Sequence, residues 1–176
     1  MYFNSREYVL LSEASSGLQS IIPLILVVAL KAKEAKEGNT YVVEEPELNL
    51  FPKTQYDLAK FLSSNCCGYN KETDCHNELI ITTHSPYILT AFNNFLLAEK
   101  TGNHKDFAAP VDKIISKESW VSSSNFNAYY ISKTGATKVF NEKTGLISDN
   151  QLDSASEEIM SEFSQLMDLY YKKDVS

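Results

Sequence analysis

Thr40-Tyr41-Val42-Val43-Glu44-Glu45-Pro46-Glu47 is the stretch that decides the fold. A β-favouring run ends in paired carboxylates and a proline, with Gly38-Asn39 bounding it upstream. A run this short reads as a strand buried on both faces, of the kind parallel sheets contain. It suits delivery of acids to a nucleotide site at the end of a sheet. Successive strand residues point to opposite faces, so Glu44 and Glu45 can reach one site only if the strand stops there. The alternative is that two glutamates end a strand in solvent and Pro46 makes the turn.

Upstream, Ala14-Ser15-Ser16-Gly17-Leu18-Gln19 leads into a predicted helix from Gly17 to Glu37, apolar through Leu30 and charged from Lys31, with Gly38 as its stop. Its first half is expected to be buried. Pro23 predicts either a kink or a helix that begins near Pro23. Ser15, Ser16 and Gly17 can present hydroxyls and backbone N–H groups to an anion, aided by the helix dipole, or can act as a plain N-cap.

Downstream, Pro52 opens a helix over 53–64 with Tyr56, Leu58, Ala59 and Leu62 facing inward. A polar loop from Asn65 to Asn77 follows, and Glu78 to Thr83 reads as the next strand. Strand, helix, strand predicts a right-handed parallel crossover. The second strand closes on His84-Ser85-Pro86, which puts His84 at the C-terminal edge of the sheet, where ligands gather in open α/β folds. A lone histidine is usually a satisfied surface or core residue; the strand-end setting singles this one out. Pro86 starts a further helix through about Lys100.

In that order, the three motifs resemble the C-terminal half of an ABC-type ATPase domain of the soluble branch, which includes chromosome-maintenance, DNA-repair and overcoming-lysogenization-defect (OLD) proteins. The likeness runs from about Ser12 to Leu89, and less distinctly through the C-terminal helix. It implies an α/β, partial P-loop NTPase domain with a mostly parallel sheet flanked by helices. Residues 14–19 would be the signature loop, 41–45 the Walker B strand and His84 the switch histidine. By the same resemblance, Glu44 stands on the magnesium side, directly or through water, and Glu45 orients or activates the attacking water. His84 would contact the γ-phosphate. Ser15, Ser16 and Gly17 would touch nucleotide bound by the opposite subunit, so a homodimer is implied for the complete protein. The chain departs from the transporter signature L-S-G-G-Q, with Ala14, Ser16 and Leu18 in place of leucine, the first glycine and glutamine, which favours the soluble branch. Phe51 stands where that branch often has histidine.

A phosphate-binding loop needs G-x-x-x-x-G-K-[ST], whose backbone N–H groups and lysine cradle the phosphates. None of the six glycines here is followed by lysine. The expectation is a truncated chain, a split protein or an excised piece, with ATP and Mg2+ bound only together with the missing N-terminal lobe or a second ATPase subunit. The runner-up is a non-catalytic module that docks on an intact ATPase. A third reading is a metal-dependent nuclease or phosphatase built on Glu44, Glu45, Glu47 and His84. The roughly 35 residues after Asn141 are too few for a separate nuclease domain.

The totals narrow the classes further. A chain of 176 residues with 43% hydrophobic residues can bury the core of one domain. A net charge of −7 argues against a free-standing nucleic-acid binder, leaving nucleic acid as an indirect partner. The longest apolar run, Leu18 to Leu30, falls short of the roughly 20 residues that span a bilayer, so no membrane partner is expected. No signal-peptide pattern opens the chain, and three cysteines fit a reducing cytoplasm. Cys66, Cys67, Cys75 and His76 invite a zinc reading, but adjacent cysteines share one tetrahedron poorly, and free thiols in a polar loop are preferred.

Beyond Lys100 the pattern changes. Thr101 to Ala109 is loop-like, and Asn127 to Ser132 with Ala136 to Asn141 reads as a hairpin turning at Lys133-Thr134-Gly135. Leu152 to Tyr171 follows amphipathic helical spacing, with Ile159, Phe163, Leu166 and Leu169 on one face. Residues 127–173 are thus a C-terminal hairpin and helix appended to a single partial ATPase domain over 1–176.

Overall fold

The computed structural model describes residues 8–34, 38–70, 75–148 and 160–167. The chain divides into two compact units, Met1–Phe126 and Asn127–Ser176.

The first unit is built on helix α1 (Ser16–Glu34), strand β1 (Thr40–Glu44), helix α2 (Pro52–Cys66), strands β2 (Gly68–Asn70) and β3 (Cys75–Thr82), and helices α3 (Pro86–Gly102) and α4 (Ala108–Ile114). The sheet order is β1-β3-β2. β1 and β3 run parallel in register from Thr40 opposite Glu78 to Glu44 opposite Thr82, with α2 in the crossover. The parallel part of the sheet is confined to this pair. β2 pairs antiparallel with residues 75–77, because a connection of only a few residues can join antiparallel neighbours but not parallel ones. The region read as a polar loop therefore holds the last residues of α2, the strand β2 and the start of β3.

The core explains which face of the sheet is filled. Tyr41 and Val43 point down onto Val28 of α1 and Leu58, Leu62 and Cys66 of α2, with Ile21, Leu24, Leu79 and Ile81 packed around them. Both helices thus cover one face. On the other face Thr40, Val42 and Glu44 are exposed, and Val42 and Ile80, opposite each other in register, are 64% and 52% exposed. The expectation of a strand buried on both faces is corrected: among the described residues, no layer covers the second face. The first half of α1 is likewise only partly buried. It is apolar nearly all round, one sheet face accepts a single stripe of it, and Leu26 and Val27 stay more than half exposed. The helix continues through Pro23, whose ring lies on the exposed side.

α3 packs on α2 through Phe95, which is completely buried, lies 6.0 Å from the Tyr56 ring and meets Phe92 edge-on at 5.6 Å. Phe126 stacks on Phe92 at 5.9 Å. α4 occupies part of the stretch read as loop. The Ser119 carbonyl accepts from the Ser63 hydroxyl of α2 at 3.0 Å, and the Trp120 ring lies where a side chain at Gly102 would have to go.

Cys66 sits in the core, where burial first and the neighbouring Cys67 second push its thiol up to about 12. Burial pushes Cys67 up to about 11. Among the described residues no group of three or more His, Cys, Asp or Glu side chains could hold a metal ion, and no helix is long and apolar enough to cross a membrane.

In the second unit, strands β4 (Tyr129–Ser132) and β5 (Gly135–Lys138) pair antiparallel around Lys133-Thr134, and β6 (Phe140–Asn141) pairs with β7 (Leu146–Ile147). Residues 160–167 are helical, and Phe163 and Leu166 are exposed on that helix. Ile159 and Leu169 lie outside the described residues.

Candidate functional site

β1 stops at Glu44, and the chain turns sharply. Glu45 has φ 43° and Asn49 φ 61°, the left-handed region that costs a residue with a Cβ on the order of 1 kcal/mol and that asparagine tolerates better than glutamate. The Glu45 N–H still donates to the Thr82 carbonyl at 2.8 Å, so the turn stays fastened to the end of β3. This conformation removes the alternation problem: Glu44 stays on the bare face of the sheet opposite Thr82, while Glu45 swings toward the neighbouring strand end. There its Oε1 lies 3.4 Å from Nε2 of His84.

His84 follows β3 and is 82% exposed, so its imidazole is open to a ligand. Its backbone is held from below. Oε1 of Glu47 accepts from the His84 N–H and from the Thr83 hydroxyl, both at 2.7 Å. Ser85 caps α3 by accepting from the N–H groups of Tyr87 and Ile88, and Pro86 at the first helical position is pre-set for that role. The buried Ser85 hydroxyl donates to Oε1 of Gln55 at 2.5 Å, and Nε2 of Gln55 donates to the Leu50 carbonyl at 2.9 Å.

The Ser15–Gly17 segment has a different setting. Ser15 acts as a helix cap, its Oγ accepting from Leu18 N–H at 3.4 Å and its carbonyl from Gln19 N–H at 3.0 Å. Nε2 of Gln19 donates back to the Ala14 carbonyl at 2.7 Å. Ser15 and Ser16 are exposed, and Gly17 is buried. A Cβ on Gly17 would fall 2.6 Å from the Asn49 carbonyl oxygen and 3.2 Å from a Leu50 methyl. The start of α1 is thus pressed against the turn that carries Glu45, and glycine is the residue that fits.

Gly17→Ala tests this contact with opposing signs. Helix propensity alone favours alanine by up to about 1 kcal/mol, whereas forcing a methyl against a backbone oxygen costs about 1–3 kcal/mol. The expected result is net destabilisation in a urea titration. A stabilised Gly17→Ala protein would show that the start of α1 is free to move away.

The structure therefore brings Glu45 and His84 together, leaves Glu44 on the adjacent exposed face, and packs Gly17 against the same turn four residues on. Two further side chains prove central to it: Glu47, which the sequence offers only as one more acid, and Gln55, which it does not single out. Gln55 carries a usable signal all the same. It lies three, four and seven residues before Leu58, Ala59 and Leu62, on the buried stripe of α2, where a polar residue needs a partner.

The family model described as an AAA ATPase domain matches residues 2–89, half of the chain. The chain belongs to that family. No curated protein and no solved structure matches it. The matched span contains Ser15–Gly17, β1 with its acids, and His84, so the AAA ATPase domain includes the whole site just described. Its function is of the ATPase type, and the family works with a nucleotide and Mg2+.

The residues present fit one side of that chemistry. Glu44 offers an exposed carboxylate, and Mg2+ typically takes one or two carboxylates with water and substrate phosphates rather than an all-protein cage. No glycine of this sequence is followed by lysine.

Proposed function

We propose that this AAA ATPase domain is the acid-bearing C-terminal lobe of an OLD-like ATPase of the soluble ABC branch, which hydrolyses ATP when another lobe or subunit supplies the phosphate-binding loop. The observation that carries the reading is the 3.4 Å approach of His84 Nε2 to Glu45 Oε1 at the end of two parallel strands. Bound MgATP supplies the phosphoryl group and the charge to be stabilised. Glu44 takes the metal side, directly or through water. Glu45 accepts a hydrogen bond from the attacking water and so orients it. His84 reaches the γ-phosphate while its contact with Glu45 keeps both groups on the same water. Ser15, Ser16 and Gly17 face nucleotide on a second ATPase subunit, in a homodimer of the complete protein acting in the cytoplasm.

Two further observations support a supplied lobe. Among the described residues no strand covers the edge of β3 beyond Asn77, and the apolar pair Val42 and Ile80 is bare on the uncovered face of β1 and β3. The test compares the 176-residue chain alone with the chain mixed with the phosphate-binding lobe of a soluble-branch ATPase. Alone it is expected neither to bind ATP tightly nor to hydrolyse it. Turnover by the chain alone, lost on Glu45→Gln, would overturn the need for a supplied loop.

Exposed Leu26, Val27, Leu30, Val42 and Ile80 also support a second reading, a non-catalytic module docking on an intact ATPase. In a titration against a homologous full-length ATPase, such a module binds without its own Glu45 affecting turnover.

A further inference from the structure

We infer that Glu47 is a positioning residue that holds Glu45 and His84 in mutual register. Nothing but the 3.4 Å contact ties the exposed His84 ring to Glu45, so their relative placement is set by the backbone at residues 45 and 84. Besides the turn bond from Leu48 N–H to the Glu45 carbonyl, two hydrogen bonds hold that backbone to its surroundings: Glu45 N–H to the Thr82 carbonyl, and His84 N–H to Oε1 of Glu47. The second comes from a carboxylate, and a bond of that kind is roughly twice as strong as one between neutral groups.

The same oxygen closes a circuit. The Thr83 hydroxyl donates to Glu47 Oε1 and its oxygen accepts from Ser85 N–H at 3.0 Å. The Ser85 hydroxyl donates to Gln55, and Gln55 returns to the carbonyl of Leu50, three residues beyond Glu47. Each hydroxyl has one proton, and each is used once, which fixes every donor and acceptor in the ring. Thr83 and Glu47 are partly buried, and Ser85 and Gln55 are buried, so water competes little for the bond from Ser85 to Gln55, whereas the bond from His84 N–H to Glu47 is exposed and is the one whose exchange the test reads. Oε2 of Glu47 is buried and has no partner. Burying a bare acceptor is costly, and a residue kept only to make a turn has no need of it; the position is explained by what Oε1 does. Glutamine at 47 can place its carbonyl oxygen at the Oε1 position and keep both donors, whereas alanine cannot.

The coupling of turn to strand end stands on these contacts alone; calling it positioning for catalysis rests on the ATPase reading above. The test is amide hydrogen exchange and ring-proton cross-relaxation by NMR on the 15N-labelled chain. In Glu47→Ala, the amides of His84 and Glu45 are expected to exchange about tenfold faster or more, and the proximity signal between the His84 ring and Glu45 to disappear. The amides of Leu58, Leu62 and Leu96 in the α2–α3 core should not change. Glu47→Gln should restore both signals. The inference is overturned if His84 and Glu45 keep their protection in Glu47→Ala, if Glu47→Gln is no better than Glu47→Ala, or if the three core amides lose protection equally.

Should Glu47→Ala fail to fold, Thr83→Val removes one of the two donors, together with the acceptor of the Ser85 N–H, and is read by the same amides. Ser85 loses its own acceptor in this variant; faster exchange at His84 and Glu45 with the three core amides unchanged supports the role, and unchanged exchange at His84 and Glu45 defeats it. None of these readouts needs nucleotide. The expected exchange pattern in a chain that never hydrolyses ATP with a supplied lobe would remove the ATPase reading and keep the coupling. Hydrolysis with an unchanged exchange pattern would do the reverse.

Discussion

Glu45→Gln is expected to lower turnover by about 10²- to 10⁴-fold, the span over which a positioned acid or base contributes, in the chain completed by a phosphate-binding lobe. The glutamine side chain has nearly the same size as the glutamate it replaces, and the variant keeps the left-handed backbone at φ 43° and the N–H bond to Thr82. It loses only the charge and basicity that the proposed role of orienting the water requires. The loss should therefore fall on kcat, with little change in KM or melting temperature. Glu45→Gly is the informative companion. It removes the carboxylate and relieves the left-handed strain, so it should be as inactive as Glu45→Gln yet unfold no earlier, and by up to about 1 kcal/mol later. Steady-state kinetics with a thermal melt on each protein decide the matter. A Glu45→Gln protein within a few-fold of the parent rate would remove Glu45 from the chemistry.

The same two residues show how much of the site can be read before any coordinates. That β1 ends in acids, and that His84 sits at the end of the next strand, follow from residue type, length and the prolines at 46 and 86. That Glu45 and His84 meet does not. It depends on a glutamate adopting a left-handed turn, a conformation the side chain disfavours and that is held by bonds from Glu45 N–H to Thr82 and from Leu48 N–H to the Glu45 carbonyl. Burial of β1 escapes the sequence for a related reason. Val42 is as apolar as Val43, and an apolar strand predicts layers on both sides, but α1 and α2 fall on one side. Gly17 is legible as special, and its packing role is not: the helix-start pattern suggests an anion contact, and the structure adds a packing reason in the Asn49 carbonyl. Gly68-Tyr69-Asn70 carries no strand signal because β2 exists only through its pairing with residues 75–77.

Phe95→Ala is expected to be the most damaging single truncation in the first unit, costing about 3–5 kcal/mol. Phe95 is completely buried between Tyr56 of α2 and Phe92 of its own helix, and its carbonyl accepts from Val121 N–H at 3.3 Å. Removing the ring leaves a cavity between two helices whose ends hold the site: α2 supplies Gln55, and α3 is capped by Ser85. The melting temperature should fall by more than about 10 °C, given the few degrees lost per kcal/mol in a domain of this size. Phe51→Ala is the control, since Phe51 is 82% exposed and an exposed substitution usually stays within about 0.5 kcal/mol. Equal losses for the two would mean that the α2–α3 contact does not stabilise this unit. If instead Phe95→Ala alone melts early, and amide exchange at His84 quickens at temperatures below its melt, then the distance between Glu45 and His84 is set by the packing of two helices as well as by the hydrogen bonds around them.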